Sequence, residues 1–150
     1  MKFQEGENSF RVLASAIVGF EYWTTQNKPV RSKDGWDEKP EDIKTEKDGS
    51  FRINHFWAFP VWNYEAEKIQ ILELTQKSIM RVIESYVKNP KWGSPKEYDF
   101  IVTRTGSGLE TDYSTTVNPK ELIDTKIVEQ YSVKKINLSK LFSGEDPFGV

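Results

Sequence analysis

Residues 51–64, FRINHFWAFPVWNY, decide the fold of this chain. Aromatic and β-branched residues dominate the stretch, and such residues favour a pleated, half-buried strand. Because proline cannot donate to a ladder, Pro60 predicts an edge strand or a break in the strand. Side chains alternate along a strand. The predicted core face comprises Ile53, His55, Trp57, Phe59 and Val61, and the predicted solvent face comprises Arg52, Asn54, Phe56 and Ala58.

The sequence on either side predicts further β structure and one helix. Residues 10–14 and 17–23 indicate two short strands or one bent strand. Downstream, a turn leads into the strand KIQILEL at 68–74, which closes a hairpin. Apolar residues at helical spacing then predict a helix over residues 76–88, with Thr75 as its N-cap.

The remaining segments complete the predicted element order. Residues 98–105 and 109–116 flank a GSG turn and predict a second hairpin. Short helices are predicted at 119–124 and 126–134, followed by a loose tail. Residues 24–50 are polar and rich in Pro, Gly and mixed charge, which indicates a long, mobile insertion.

These elements predict a mainly β protein with one or two helices. Five strands with a helix inserted between them match an OB-like five-stranded barrel, here with a long loop insertion. We expect residues 1–118 to form the OB-like domain, and residues 119–150 to form a C-terminal helical segment and flexible tail.

The composition excludes several classes of function. The 150 residues contain no cysteine, which excludes disulfides, thiolate nucleophiles and cysteine-based metal sites. His55 is the only histidine, and no nucleophile motif accompanies it, so we expect no enzyme, no metal site and no cofactor. No run approaches the ~20 apolar residues of a membrane span, and the first residues lack an apolar signal segment. We therefore expect a cytoplasmic protein without a membrane partner.

The charge and aromatic content point to a local binding surface. The formal net charge is −2, so nucleic-acid binding would need a local basic patch. Aromatic residues make up 13% of the chain, enough to provide rings on which bases could stack. Aromatic and basic residues interleave in three places, and a groove lined in this way suits unpaired nucleotides. The candidate residues are Trp23, Lys28, Arg31, Lys33, Arg52, Phe56, Arg104 and Tyr113.

Structural explanations compete with each of these assignments. Trp23 could be a core residue beside an ordinary basic loop, and Phe56 could cover a hydrophobic patch while Arg52 is merely solvated. Tyr113 could be half of a cross-strand pair that fixes the register of its hairpin.

Three motifs carry a resemblance to a known family. The segments LTQKSI at 74–79, PKWG at 90–93 and RTGSGLETDY at 104–113 resemble the central block of single-stranded-DNA-binding proteins encoded by tailed phages. The N-terminal segment GENSFRVLASAIVGFEYWT at 6–24 is similar to the first strands of the same family. The resemblance therefore spans about Gly6 to Val117.

The resemblance implies an OB-fold protein that coats single-stranded DNA during phage replication and recombination in the bacterial host cytoplasm. It nominates the same aromatic and basic positions that the pattern already indicates, Lys33 excepted. The T4-type relative carries a structural zinc site, and this chain departs from that pattern because it has no cysteine. The alternative is a structural or protein-interaction module of a phage, such as an assembly component.

The C-terminal residues suggest a second binding function. Glu145, Asp146 and Phe148 resemble the acidic, phenylalanine-bearing tip by which single-strand-binding proteins recruit replication proteins. A tail without a function is the competing explanation, because only two acids stand there and Gly149 and Val150 follow.

Overall fold

The computed structural model describes residues 1–149, which form one antiparallel sheet of seven strands with two α-helices. The strands are β1 (Gly6–Val12), β2 (Ile17–Trp23), β3 (Pro29–Ser32), β4 (Asn54–Asn63), β5 (Lys68–Leu74), β6 (Asp99–Thr105) and β7 (Asp112–Val117). The helices are α1 (Lys77–Val87) and α2 (Thr125–Val133), and short 3₁₀ segments lie at Pro95–Glu97, Gly108–Glu110 and Leu138–Ser143. The predicted mainly β class is confirmed, and among residues 1–149 the sheet is open.

Strand β4 is the centre of the sheet. One edge of β4 pairs with β5, and the other is shared, residues 54–58 pairing with β2 and residues 61–63 with β1. The Pro60 carbonyl accepts a hydrogen bond from the Leu13 amide at 2.9 Å, at the corner where β1 turns into β2. The N–H and C=O of a strand residue point to the same edge. The nitrogen of Pro60, which has no hydrogen to donate, therefore also faces this corner, where neither β1 nor β2 pairs with residue 60. No ladder hydrogen bond is lost, and β4 continues through Pro60 as a central strand, so the prediction of an edge or a break at Pro60 is wrong.

The inner face of the sheet carries the main core. Helix α1 packs its apolar side against this face, as the helical spacing predicted, and each buried aliphatic side chain contributes roughly 1.5–3 kcal/mol. Gln76, not Thr75, is the N-cap residue, and its side chain makes no capping bond. The central buried residues are Phe10, Phe59, Val61, Leu72, Ile79, Ile83, Phe100 and Val102.

The outer face of β4 is covered by residues 136–142, which we call the C-terminal cover. Phe56 and Ala58 are fully buried beneath Leu141 and Phe142, so the prediction that they face solvent is wrong. The cover fits closely, since a Cβ on Gly19 would lie 2.8 Å from the Phe142 ring. These residues pack on the sheet and are not the loose tail that the sequence predicted.

The β4 residues predicted to be core divide into two groups. Phe59 and Val61 are buried as predicted, but His55 is exposed and Trp57 is only partly buried. Both of these lie at the end of β4 that pairs with β2. The inner face is therefore open at this end of the sheet.

The insertion at 24–50 is more ordered than its composition predicted. It contains β3, which pairs with β2, and Ile43 within it is buried. A bridge joins Thr24 to Ile43, and the Tyr22 hydroxyl donates to Asp42 at 2.8 Å. These contacts hold the second half of the insertion against the end of β2.

The other predicted elements match the structure in part. The second hairpin is β6 and β7, although Leu109 and Glu110 lie in a 3₁₀ segment and not in the returning strand. Helix α2 matches the helix predicted at 126–134, but residues 119–124 form no helix. Within residues 1–149, no helix is long and apolar enough to cross a membrane.

Candidate functional site

An open cleft lies beside the part of the sheet that the C-terminal cover leaves exposed. Its volume is about 450 Å³, within the ~300–1,000 Å³ of small-molecule sites. The end of β2, strand β3, the end of β5 and residue 113 of β7 meet the first residues of the chain there. The lining comprises Met1, Lys2, Phe3, Glu21, Trp23, Arg31, Ile71, Glu73, Thr75, Gln76 and Tyr113. Three of the eight predicted DNA-binding residues therefore share one cleft.

Trp23 is the exposed ring of this cleft. It ends β2, and 44% of its surface is accessible, whereas the preceding Tyr22 is buried. Side chains alternate along a strand, so Trp23 lies on the face of β2 opposite to the buried Tyr22. The Trp23 carbonyl accepts a hydrogen bond from the Lys44 amide at 2.8 Å, so the ordered insertion fixes the backbone that carries the ring.

Tyr113 supplies a second ring on the far side of the cleft. Its ring packs against Phe3 with centroids 5.9 Å apart, and Tyr113 pairs with Arg104 across the β6–β7 hairpin. The Arg104 guanidinium donates to the Phe3 carbonyl at 3.2 Å, which ties the first residues of the chain to β6. Arg104 thus holds the Phe3–Tyr113 pair, and it does not line the open cleft.

Arg31 is already engaged by two carboxylates. Its guanidinium lies 2.9 Å from a Glu21 oxygen and 2.7 Å from a Glu73 oxygen, and it lies over the buried Phe56 ring at 5.0 Å. Glu21 is almost fully buried, whereas the Glu73 side chain is 37% exposed. A phosphate would therefore have to displace Glu73 to reach Arg31, so Arg31 is not the free cation that the sequence indicated.

The other predicted residues lie apart from the open cleft. Arg52 lines a neighbouring depression, Lys28 lines another beside the β2–β3 turn, and Lys33 is exposed directly after β3. Phe56 has no accessible surface. A base cannot stack on a ring that is sealed under the C-terminal cover, so the prediction that Phe56 is a platform is wrong for this structure.

Sequence reasoning missed several residues of the cleft. Lys2 and Phe3 repeat the basic–aromatic pattern used elsewhere, but they precede the first strand, where no periodicity marked them as part of the fold. The sequence predicts that Thr75 and Gln76 begin a helix, and their position at the cleft follows only from the junction between β5 and α1.

The predicted tail residues fold back toward α2. Phe148 is 41% exposed, and the Lys134 ammonium lies 5.7 Å from its ring centroid. The Pro147 carbonyl accepts from the Asn137 amide at 2.9 Å, and the Glu145 amide donates to the Lys140 carbonyl. The tail is thus held beside the C-terminal cover.

Comparison of the chain with protein-family models, with curated proteins and with solved structures finds no match. Among residues 1–149, no three His, Asp or Glu side chains gather into a group that could hold a metal ion. The geometry of the cleft is therefore the structural basis for inferring a function.

Proposed function

We propose that this protein binds single-stranded DNA with little sequence preference. The observation that carries the proposal is the exposed Trp23 ring, in one cleft with Tyr113 and the exposed Lys2. Bases of any identity stack on such rings, at about 1–3 kcal/mol per base, while cations contact the phosphates. The function needs no cofactor and no catalytic group. The resemblance of residues 6–117 to phage single-strand-binding proteins is our basis for proposing a role in phage replication and recombination in the host cytoplasm.

The connectivity of the sheet supports an OB-type fold for this function. We treat β1 and β2 as one bent first strand, followed by β4 and β5 as the second and third strands, and by β6 and β7 as the fourth and fifth. The first strand then pairs with both the second and the fourth. OB-folds bind oligonucleotides on strands two and three between the loops that follow strands one and four. The open cleft lies beside the third strand, with Trp23 and Tyr113 at those two loops.

A fluorescence-anisotropy titration tests the proposal. Labelled oligo-dT, a duplex of the same length and an RNA strand are titrated with the protein at two salt concentrations. We expect oligo-dT to bind, the duplex to bind more weakly, and the oligo-dT affinity to fall as salt rises, because phosphate contacts release counterions. Absence of oligo-dT binding, or affinity independent of salt, would refute the proposal.

One observation favours the alternative, a protein-interaction module of a phage. An apolar groove lies between α1 and the β1–β2 corner, with Val18 59% exposed and Val87 47% exposed on its walls. A groove of this kind has room for apolar side chains of another protein. Binding through this groove would change little with salt, which distinguishes it from binding to phosphates.

A further inference from the structure

The open cleft does not end at Gln76. A neighbouring depression, the Arg52 cleft, shares Thr75 and Gln76 with it and is also lined by Arg52 and Lys77. A third depression, the helix cleft, shares Thr75 and Lys77 with the Arg52 cleft. The three clefts therefore adjoin one another at the junction between β5 and α1, and together they outline a path around it.

Apart from Lys2 of the open cleft, the free cations lie in the second half of this path. Arg31 of the open cleft is held by two carboxylates, whereas Arg52, Lys77 and Arg81 are exposed. None of these three belongs to an ion pair among residues 1–149. Lys77 and Arg81 are four residues apart on α1, so they lie on the same side of the helix, separated by a rise of about 6 Å.

The helix cleft also offers aromatic surface. His55 is exposed, and its ring is fixed by Phe20, with centroids 4.8 Å apart. Trp57 lies two residues further along the same strand face and is partly buried. Glu84 is the only carboxylate in the lining of this cleft, and Lys88 neutralises it. The cleft thus combines two rings with two unpaired cations.

We infer that a bound single strand crosses the β5–α1 junction and continues into the helix cleft. Arg52, Lys77 and Arg81 contact its phosphates there, and Trp57 with His55 stacks a base. The inference rests on the proposed function. It adds the course of the bound strand over the surface and most of its phosphate contacts. It assigns the electrostatic part of binding to residues that the sequence pattern did not single out, Arg52 excepted.

The double variant Lys77→Gln/Arg81→Gln tests this path. Both side chains are exposed, so the fold should be unaffected. With a ~16-nucleotide oligo-dT, losing two phosphate contacts should make the negative slope of log affinity against log salt shallower by about 1.4. We expect affinity at low salt to fall roughly tenfold, as two charge contacts are lost. The matched control Lys126→Gln/Lys135→Gln removes the same charge from exposed positions outside these clefts and should match the wild type.

A second measurement uses the unaltered protein. Acetylation of lysines, read by mass spectrometry, should be slowed at Lys77 by oligo-dT and unchanged at Lys126. Wild-type slope in the double variant, or equal acetylation of Lys77 with and without oligo-dT, would overturn the inference. If the wild-type protein still binds oligo-dT and loses affinity on Trp23→Ala, only the extended path fails. If the wild type does not bind oligo-dT, the proposed function fails as well.

Discussion

The outer face of the sheet has a covered half and an open half, and the two contain similar residues. Phe56 in the covered half has no accessible surface, whereas Trp23 in the open half is 44% exposed. The covered half owes its burial to Leu141 and Phe142, which come from a segment far along the chain. An aromatic ring on an outer strand face is therefore buried or accessible according to whether a distant segment reaches it.

The largest expected effect is on the covered half. Phe56→Ala removes a fully buried ring that packs between Phe142 and the Arg31 guanidinium. We expect the free energy of unfolding to fall by about 3–5 kcal/mol, as for other buried Phe residues, measured by urea denaturation. Phe51→Ala is the matched control, since Phe51 is 45% exposed, and it should cost less than about 1 kcal/mol. Equal effects of the two substitutions would show that the face is not covered in solution.

Leu141→Ala tests the cover from its other side. Leu141 is buried against Phe56, Ala58 and Ile71, so we expect a loss of about 2 kcal/mol in the free energy of unfolding. Leu122→Ala removes the same atoms from a side chain that is 96% exposed and should change stability by less than about 0.5 kcal/mol. Urea denaturation of both variants measures the difference. A Leu141 variant as stable as the Leu122 variant would contradict the packing of the cover.

The sequence predicted the strands and helices better than it predicted which of their faces are buried. The period of 3.6 in α1 and the alternation in β4 depend on neighbouring residues, so both elements could be predicted. Whether Phe56 is exposed depends on the C-terminal cover, and no local pattern in either segment records that contact. The prediction for Pro60 is wrong for a similar reason. The absence of its N–H costs no ladder hydrogen bond only because residue 60 faces the β1–β2 corner, which the local sequence does not show.

The candidate site was predicted in part. Trp23, Arg31 and Tyr113 share a cleft, and the sequence indicated all three, because aromatic and basic residues stand together at the end of β2, in β3 and at the start of β7. The ion pairs that occupy Arg31 could not be foreseen, since Glu73 reaches it from β5. Lys77 and Arg81 of α1 carry no signal in the sequence, because a charged residue on an exposed helix face is usually only solvated.

Substitutions in the open half should change the affinity for oligo-dT and leave the free energy of unfolding nearly unchanged. Trp23→Ala removes a largely accessible ring, so we expect a roughly tenfold loss of affinity for oligo-dT, about 1.4 kcal/mol, with little change in the free energy of unfolding. Phe148→Ala is the matched control, because Phe148 is 41% exposed but does not line the open cleft. Anisotropy titrations of both variants provide the test. A Trp23 variant that unfolds more easily but binds as tightly as the wild type would make Trp23 a structural residue.

The smallest effect is expected where the chain folds back beside the cover. Deleting residues 145–150 removes the Asn137–Pro147 and Lys140–Glu145 backbone hydrogen bonds, which lie outside the open cleft. We expect the affinity for oligo-dT to stay within about twofold, or ~0.4 kcal/mol, in the same anisotropy titration. The recruitment of replication proteins that the sequence suggests for Glu145, Asp146 and Phe148 would be lost with these residues. A clear gain in affinity on deletion would contradict this expectation, because it would mean that the tail competes with DNA for the open half of the sheet.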